Sequence, residues 1–233
     1  MRVPDPLAVR ALDEERMDDP ALDQATFTAL LGDLGQANAL TLAARPTVDF
    51  VRRAARRTQR LRVLDVGSGG GDILRALARW CARHGVEAEL VGVDLNPLSQ
   101  RAADAHPAPL PIEHRTGDYA DQQGPWDVVL SSLVAHHMSE AELVRFLKWM
   151  EATARVGWLV NDLRRSAVAL AGFRALSAAA RWHPIVRHDG ALSVARSWRE
   201  GDWRMLLDQA GLGDTGVRVR RWFPYRLCVE RLR

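Results

Sequence analysis

From residue 62 onward, short apolar runs alternate with stretches whose apolar positions recur every three or four residues. Arg62–Val66, Glu89–Val93, Ile112–Arg115, Trp126–Ser131 and Val156–Asn161 read as strands. Helices are expected over Asp72–His84, after Pro97, and from Ser139, whose hydroxyl and Glu142 make a capping box. Such alternation calls for a parallel sheet covered by helices on both faces. Residues 1–58 read instead as a polar-rich helical cap. There Leu30, Leu31, Leu34 and Ala37 share one helix face, and a second helix runs from Pro46 to Arg57 with the proline in its first turn. After residue 165 the rhythm breaks. Ala167–Trp182 is a long alanine-rich helical pattern, and Pro184–Arg196 reads as an irregular basic segment. A helix over Glu200–Ala210 should stop at Gly211. Gly216–Trp222 and Tyr225–Arg231 lie close enough to pair as an antiparallel hairpin.

Length and composition narrow the class. A chain of 233 residues fits one α/β domain with an appendage. Cys81 and Cys228 are far apart and read as two buried thiols in a reducing compartment. No apolar run approaches the roughly 20 residues of a membrane span. Met1–Pro6 lacks the apolar core of a secretory leader, so a cytoplasmic protein is expected. The net charge of +3 comes from arginine, Lys148 being the only lysine. The cluster Arg52-Arg53-Ala54-Ala55-Arg56-Arg57 fits a nucleic-acid patch or a solvated helix face. No aromatics are interleaved for base stacking, so a nucleic-acid partner is not expected.

Candidate chemistry concentrates at Asp65-Val66-Gly67-Ser68-Gly69-Gly70-Gly71-Asp72, where a strand breaks into a glycine turn before a helix. That arrangement presents bare backbone to a nucleotide-like ligand. The dinucleotide fingerprint needs glycine at position 72, where this chain has Asp72. Asp65, two residues before Gly67, would repel a pyrophosphate and attract an ammonium group. Asp94 follows Gly71 by 23 positions. An acid there suits two hydrogen bonds to a ribose diol, or alternatively a helix cap before Asn96-Pro97. Gly117-Asp118-Tyr119 follows the third strand and also fits a plain turn. Ser131 and Ser132 end the fourth strand, where they would line a ligand or cap the strand. No histidine–carboxylate spacing suggests a metal site.

Glycine turn, Asp94, Asp118, the Trp126–Ser132 strand and the closing hairpin together resemble the class I S-adenosylmethionine (SAM)-dependent methyltransferases over roughly residues 60–233. The resemblance implies a Rossmann-like seven-stranded, mostly parallel sheet with an antiparallel C-terminal hairpin. It implies a substrate lid inserted at about 165–198. It also implies SAM contacts from Asp65, Gly67, Ser68, Gly69, Gly71, Asp94, Leu95, Asp118, Tyr119 and Ser131. In that family the loop holding His136 and His137 faces the sulfonium methyl.

Further short motifs resemble bacterial methyltransferases associated with type III polyketide and phenolic-lipid pathways. They are Glu15-Arg16-Met17-Asp18-Asp19-Pro20, Leu31-Gly32-Asp33-Leu34 with Asn38, Asn161-Asp162-Leu163-Arg164, and Arg187-His188-Asp189-Gly190 with Ser193-Val194. This narrower resemblance implies O-methylation of a small phenolic or polyketide-derived acceptor. His136, His137, Asn161, Arg164 and His188 would frame it, with His137 or His188 accepting the proton. Asp189-Gly190 fits a turn or a polar pair offered to the pocket. RNA or protein methylation, and a SAM-binding regulator without turnover, are the alternatives. A monomer or homodimer is expected.

Overall fold

The computed structural model describes residues 7–233; Met1–Pro6, including the leader reading, lies outside the described residues. The helices are α1 (Gln24–Leu40), α2 (Ala44–Ala54), α3 (Asp72–His84), α4 (Pro97–Asp104), α5 (Glu140–Thr153), α6 (Ala167–Ala179), α7 (Pro184–Arg196) and α8 (Glu200–Gln209). The strands are β1 (Arg60–Val66), β2 (Glu87–Asp94), β3 (Ile112–Thr116), β4 (Trp126–Ser132), β5 (Ala154–Leu163), β6 (Arg218–Trp222) and β7 (Arg226–Leu232). They form one sheet in the order β3-β2-β1-β4-β5-β7-β6. β1 to β5 pair in parallel, and β7 is antiparallel to both β5 and β6. The seven-stranded expectation and the closing hairpin both hold.

Strand order decides where a ligand can sit. β1 continues outward to β2, after which the chain returns to place β4 on the other side of β1. Open α/β sheets bind ligands in the crevice beyond the carboxyl ends at such a switch point. Here that crevice receives the glycine turn after β1 and the histidine pair after β4.

Helices cover both sheet faces, as the apolar runs require. Leu143, Phe146, Leu147 and Met150 of α5 pack with Trp203 and Leu206 of α8 against Val129, Trp158 and Val160. On the other face Phe50 and Val51 of α2 meet Leu74, Leu77 and Ala78 of α3 over Val63, Val128 and Leu159. Trp126, Trp158 and Trp203 are among the largest fully buried side chains. Each such ring removes about 150–250 Å² from water, an upper estimate of about 4–6 kcal/mol at ~25 cal/mol/Å². Both cysteines are buried and free, and burial pushes their thiols up to about 11 for Cys81 and about 12 for Cys228. In the arginine cluster, Arg52 and Arg53 pair with Asp49, and Arg53 reaches Glu230 as well.

Two sequence expectations fail in α7. Pro184–Arg196 is a continuous helix, capped by the His183 ring, which accepts from Ile185 N. Asp189-Gly190 is its middle. Asp189 is buried and accepts from Met17 N at 2.9 Å. A Cβ at Gly190 would lie 2.1 Å from Phe173 Cζ, so the glycine admits the α6 ring where a turn was expected. Tertiary packing overrides the local turn chemistry.

Candidate active site

One cavity of about 950 Å³ lies above the carboxyl ends of β1, β2 and β4 and extends under α1 and α6. That is near the top of the roughly 300–1,000 Å³ range of small-molecule sites, room for a cofactor and an acceptor together.

The glycine turn forms one wall. Gly67 N and Ser68 N donate to Val93 O at 2.8 and 3.1 Å, tying the turn to the end of β2. Gly67 has φ +70°, and a Cβ there would lie 2.2 Å from Val134 Cγ2, so the loops after β1 and β4 touch across the switch point. Asp94 braces the same turn: Oδ2 accepts from Gly69 N at 2.8 Å and Oδ1 from Asn96 N at 2.9 Å. The cap of α4 is Asn96, whose Oδ1 accepts from Leu98 N, so the cap alternative for Asp94 falls. Each Asp94 oxygen keeps capacity for a further donor.

Asp65 is fully buried and its Oδ1 has no hydrogen-bond partner. Burial, reinforced by Asp72 and Asp94, pushes its carboxyl up to about 8. Such a group is stabilised as a carboxylate only when a cation arrives. A buried acid waiting beside a glycine turn fits the ammonium group of an amino-acid-bearing nucleoside.

The opposite wall carries the histidines, in a 3-10 turn over Ala135–His137. Asp162, at the end of β5, accepts from His136 N at 2.9 Å and faces His136 Nδ1 at 2.8 Å. His136 Nε2 faces Glu15 at 3.6 Å. Burial alone would lower the His136 pKa, but the Asp162 and Glu15 carboxylates outweigh it and raise it to about 9. Glu15, buried and accepting from Ser193 Oγ at 2.8 Å, is held well below the usual carboxylate range: its own burial opposes this, but His136, His137 and Ser193 prevail. His137 is more open. Its Nε2 lies 3.7 Å from Glu15, and its Nδ1 lies 3.3 Å from Asp18. The guanidiniums of Arg10 and Arg196 donate to the carbonyls of residues 136–138, pinning the turn from outside.

Glu15, His136 and His137 each offer a ligand atom within 4.8 Å of the others, so the fold gathers a candidate cation group that spacing did not suggest. A metal needs neutral imidazole. Carboxylates on both sides of His136 favour the imidazolium, so a proton answers the charge.

Of the residues singled out from sequence, Asp65, Gly67, Ser68, Gly69, Asp94, Leu95, Tyr119, His136 and His137 line the cavity. Tyr119 packs edge-on against Phe146 and Trp149, with ring centroids 4.8 Å apart in both pairs. The others lie behind the wall. Gly71, in the left-handed region, opens α3. Ser131 Oγ donates to Val66 O. Asp118 caps a 3-10 turn by accepting from Ala120 N. Asn161 is fully buried and donates to Ala43 O and Thr47 Oγ1, fastening α2 to β5. Arg164 lies over the Tyr225 ring. His188 points away, its ring paired with Asp189 Oδ1 at 2.8 Å and its side chain 43% exposed. An acceptor in the cavity meets none of Asn161, Arg164 and His188. Glu15 and Arg226 line it unforeseen.

The comparisons agree with this architecture. Residues 63–157 match the family described as "Methyltransferase domain". Over 96 residues the chain is 33% identical to a ubiquinone biosynthesis O-methyltransferase of Mesorhizobium japonicum, covering 39% of this chain and 36% of that protein. It is 34% identical over 114 residues to the one of Azorhizobium caulinodans, covering 47% and 40%. The chain thus spans well under half the length of these relatives. Among solved structures, magnesium protoporphyrin IX methyltransferase from Synechocystis, with bound S-adenosylhomocysteine (SAH), superposes with TM-score 0.56 at 16% identity over 92% of this chain and 90% of that one. Human N-acetylserotonin methyltransferase in complex with SAM gives 0.62 at 13% identity over 91% and 56%. The fold is that of the class I SAM-dependent methyltransferases, and residues 63–157 carry its methyltransferase domain.

Proposed function

We propose that the protein is a SAM-dependent methyltransferase acting on the hydroxyl of a small, mostly apolar aromatic or polyketide-derived acceptor. The observation that carries this reading is one cavity with a cofactor wall and a histidine wall. Bound SAM supplies a methyl group already activated by its sulfonium. Asp94 accepts from the ribose diol, Asp65 takes the ammonium group, and the side chains of Leu95 and Tyr119 flank the adenine. The matched relatives, both O-methyltransferases by name, support oxygen as the acceptor atom.

Positioning dominates what remains for the protein. Alignment of reactants supplies as much as ~7–11 kcal/mol in favourable cases. Leu133, in the left-handed region at φ 63°, ends β4 at the cavity wall. Leu163, Phe173 and Leu176 give the acceptor side an apolar lining that excludes water. A phenol of pKa about 10 is only about a thousandth ionised at neutral pH. His137, the more open of the two rings, accepts its proton, with Glu15 stabilising the imidazolium that forms. His136, already flanked by two carboxylates, positions rather than titrates. Residues 1–58 and 165–198 act as cap and lid over the acceptor.

The test is methyl transfer from labelled SAM to a panel of phenols, alcohols, amines and RNA. Methyl ethers of phenols are expected. Transfer to RNA alone, or SAH binding without transfer to any acceptor, would replace this reading.

A further inference from the structure

Arg226 opens β7 at the level of Leu163, on the same strand face as Cys228, which packs in the α2–α3 core. It is 2% exposed, yet it lines the cavity. Its Nε and Nη1 have no hydrogen-bond partner. The acids whose fields reach it are engaged elsewhere. Asp162 holds His136 and accepts from Leu163 N. Asp72 accepts from Asn38 Nδ2 at 3.0 Å. A buried cation without a partner is costly and persists where something arrives to pair with it. The guanidinium fork matches one partner best, a carboxylate taken through two parallel hydrogen bonds.

The same cavity holds the complementary orphan. Asp65 Oδ1 has no partner either, and Asp72 is an electrostatic neighbour of both side chains. One unpaired acid and one unpaired base facing a shared space match the ammonium and carboxylate of an α-amino acid. We propose that Arg226 binds a ligand carboxylate, that of the amino-acid end of SAM, while Asp65 takes its ammonium group. This inference rests on the reading of the cavity as a SAM site. It assigns Arg226 to the cofactor and not to the acceptor.

The experiment is calorimetric titration of the whole chain with SAH and with 5′-methylthioadenosine, which keeps the nucleoside and lacks the amino-acid end. Arg226→Met keeps the volume and removes the fork; Arg226→Lys keeps the charge alone. Arg226→Met should weaken SAH about 10- to 100-fold, the value of a charge-assisted hydrogen bond or two, and leave 5′-methylthioadenosine unchanged. Arg226→Lys should fall between. No protein acceptor depends on the guanidinium, so the melting temperature of Arg226→Met should hold. Equal weakening of both nucleosides, or loss of the fold in both variants, would make Arg226 structural and overturn the proposal. Unchanged SAH affinity, with lost turnover only of carboxylated phenols, would assign the guanidinium to the acceptor and also overturn it. Wild-type protein that binds neither nucleoside would refute the SAM reading itself, and this proposal with it.

Discussion

Asp162 holds His136 twice, through the backbone N–H at 2.9 Å and the ring Nδ1 at 2.8 Å. The end of β5 thereby fixes both the turn after β4 and the orientation of its buried ring. Glu15 completes a carboxylate–imidazolium–carboxylate sandwich inside the protein. Removing one member of a buried charged set leaves the remainder uncompensated, which costs about 3–5 kcal/mol. Asp162→Asn should lower stability by that order in urea unfolding. The sandwich also gives stability a pH dependence. His136 is raised from about 6.5 to about 9, so the folded state keeps a proton that the unfolded chain releases. Its contribution, on the order of 3 kcal/mol, is full below about pH 6.5 and lost as pH rises through about 9. Urea midpoints between those limits should fall in the wild type and fall less in Asp162→Asn. Equal slopes in both proteins would contradict the sandwich.

Asp65 makes a separate prediction, because its carboxyl is pushed up to about 8 by burial and by Asp72 and Asp94. At pH 7 it is mostly protonated without ligand. An ammonium group docked against it favours the carboxylate, so SAH binding should release close to one proton. Binding heats in buffers of different ionisation enthalpy read this directly. The wild-type heat should track the buffer, and that of Asp65→Asn should not. The same raised pKa makes stability fall as pH rises from about 4 to about 8. Asp65→Asn should flatten that fall.

The residues of these predictions differ in how far the sequence shows them. Asp65, Gly67 and Asp94 lie on one strand–turn–helix–strand unit, and their roles depend on local spacing. The sheet, its switch point and its final hairpin follow from the same alternation. Glu15 is different: it reaches His136 from 121 positions away in the sequence, and no local pattern marks it. Its only signal was the short motif Glu15–Pro20. The motifs resembling the polyketide-associated subgroup turn out to meet in space. Glu15 accepts from Ser193, Asp189 from Met17, Asp33 from His183, and Asp72 from Asn38. His188 misled because its neighbour Asp189 faces inward while its own ring faces out, a distinction set by the helical phase of α7. A segment read as irregular has no phase to consult. Arg226 looked like one more arginine in an arginine-rich chain; only burial without a partner separates it.

Gly67 tests the contact between the two loops that define the cavity. Gly67→Ala meets Val134 Cγ2 and places a side chain at φ +70°. Strain of both kinds should cost about 1–3 kcal/mol and weaken SAH binding, because the turn that Asp94 braces must shift. Val134→Ala removes the steric part and leaves the backbone part. The double variant should therefore recover some, but not all, of the lost stability in denaturant unfolding. Full recovery would show that the left-handed backbone carries no cost here. No recovery would show that Val134 yields freely.

His137 and Glu15 should act as a unit. If His137 accepts the hydroxyl proton, His137→Ala should lower kcat about 10²- to 10⁴-fold and leave SAH affinity intact, because the ring lies on the wall opposite the glycine turn. Glu15→Gln keeps the shape, removes the charge that stabilises the imidazolium, and should lower kcat by less. The two effects should be non-additive: once the ring is gone, Glu15 has no developing charge at His137 to stabilise. Acceptor acidity gives a second readout. A phenol already ionised at the assay pH needs no base, so its turnover should be nearly unaffected by His137→Ala. Steady-state kinetics on phenols of graded acidity, in the wild type, both single variants and the double variant, separate the cases. A uniform loss across all acceptors would make His137 a positioning residue. Additive losses would detach Glu15 from the proton transfer.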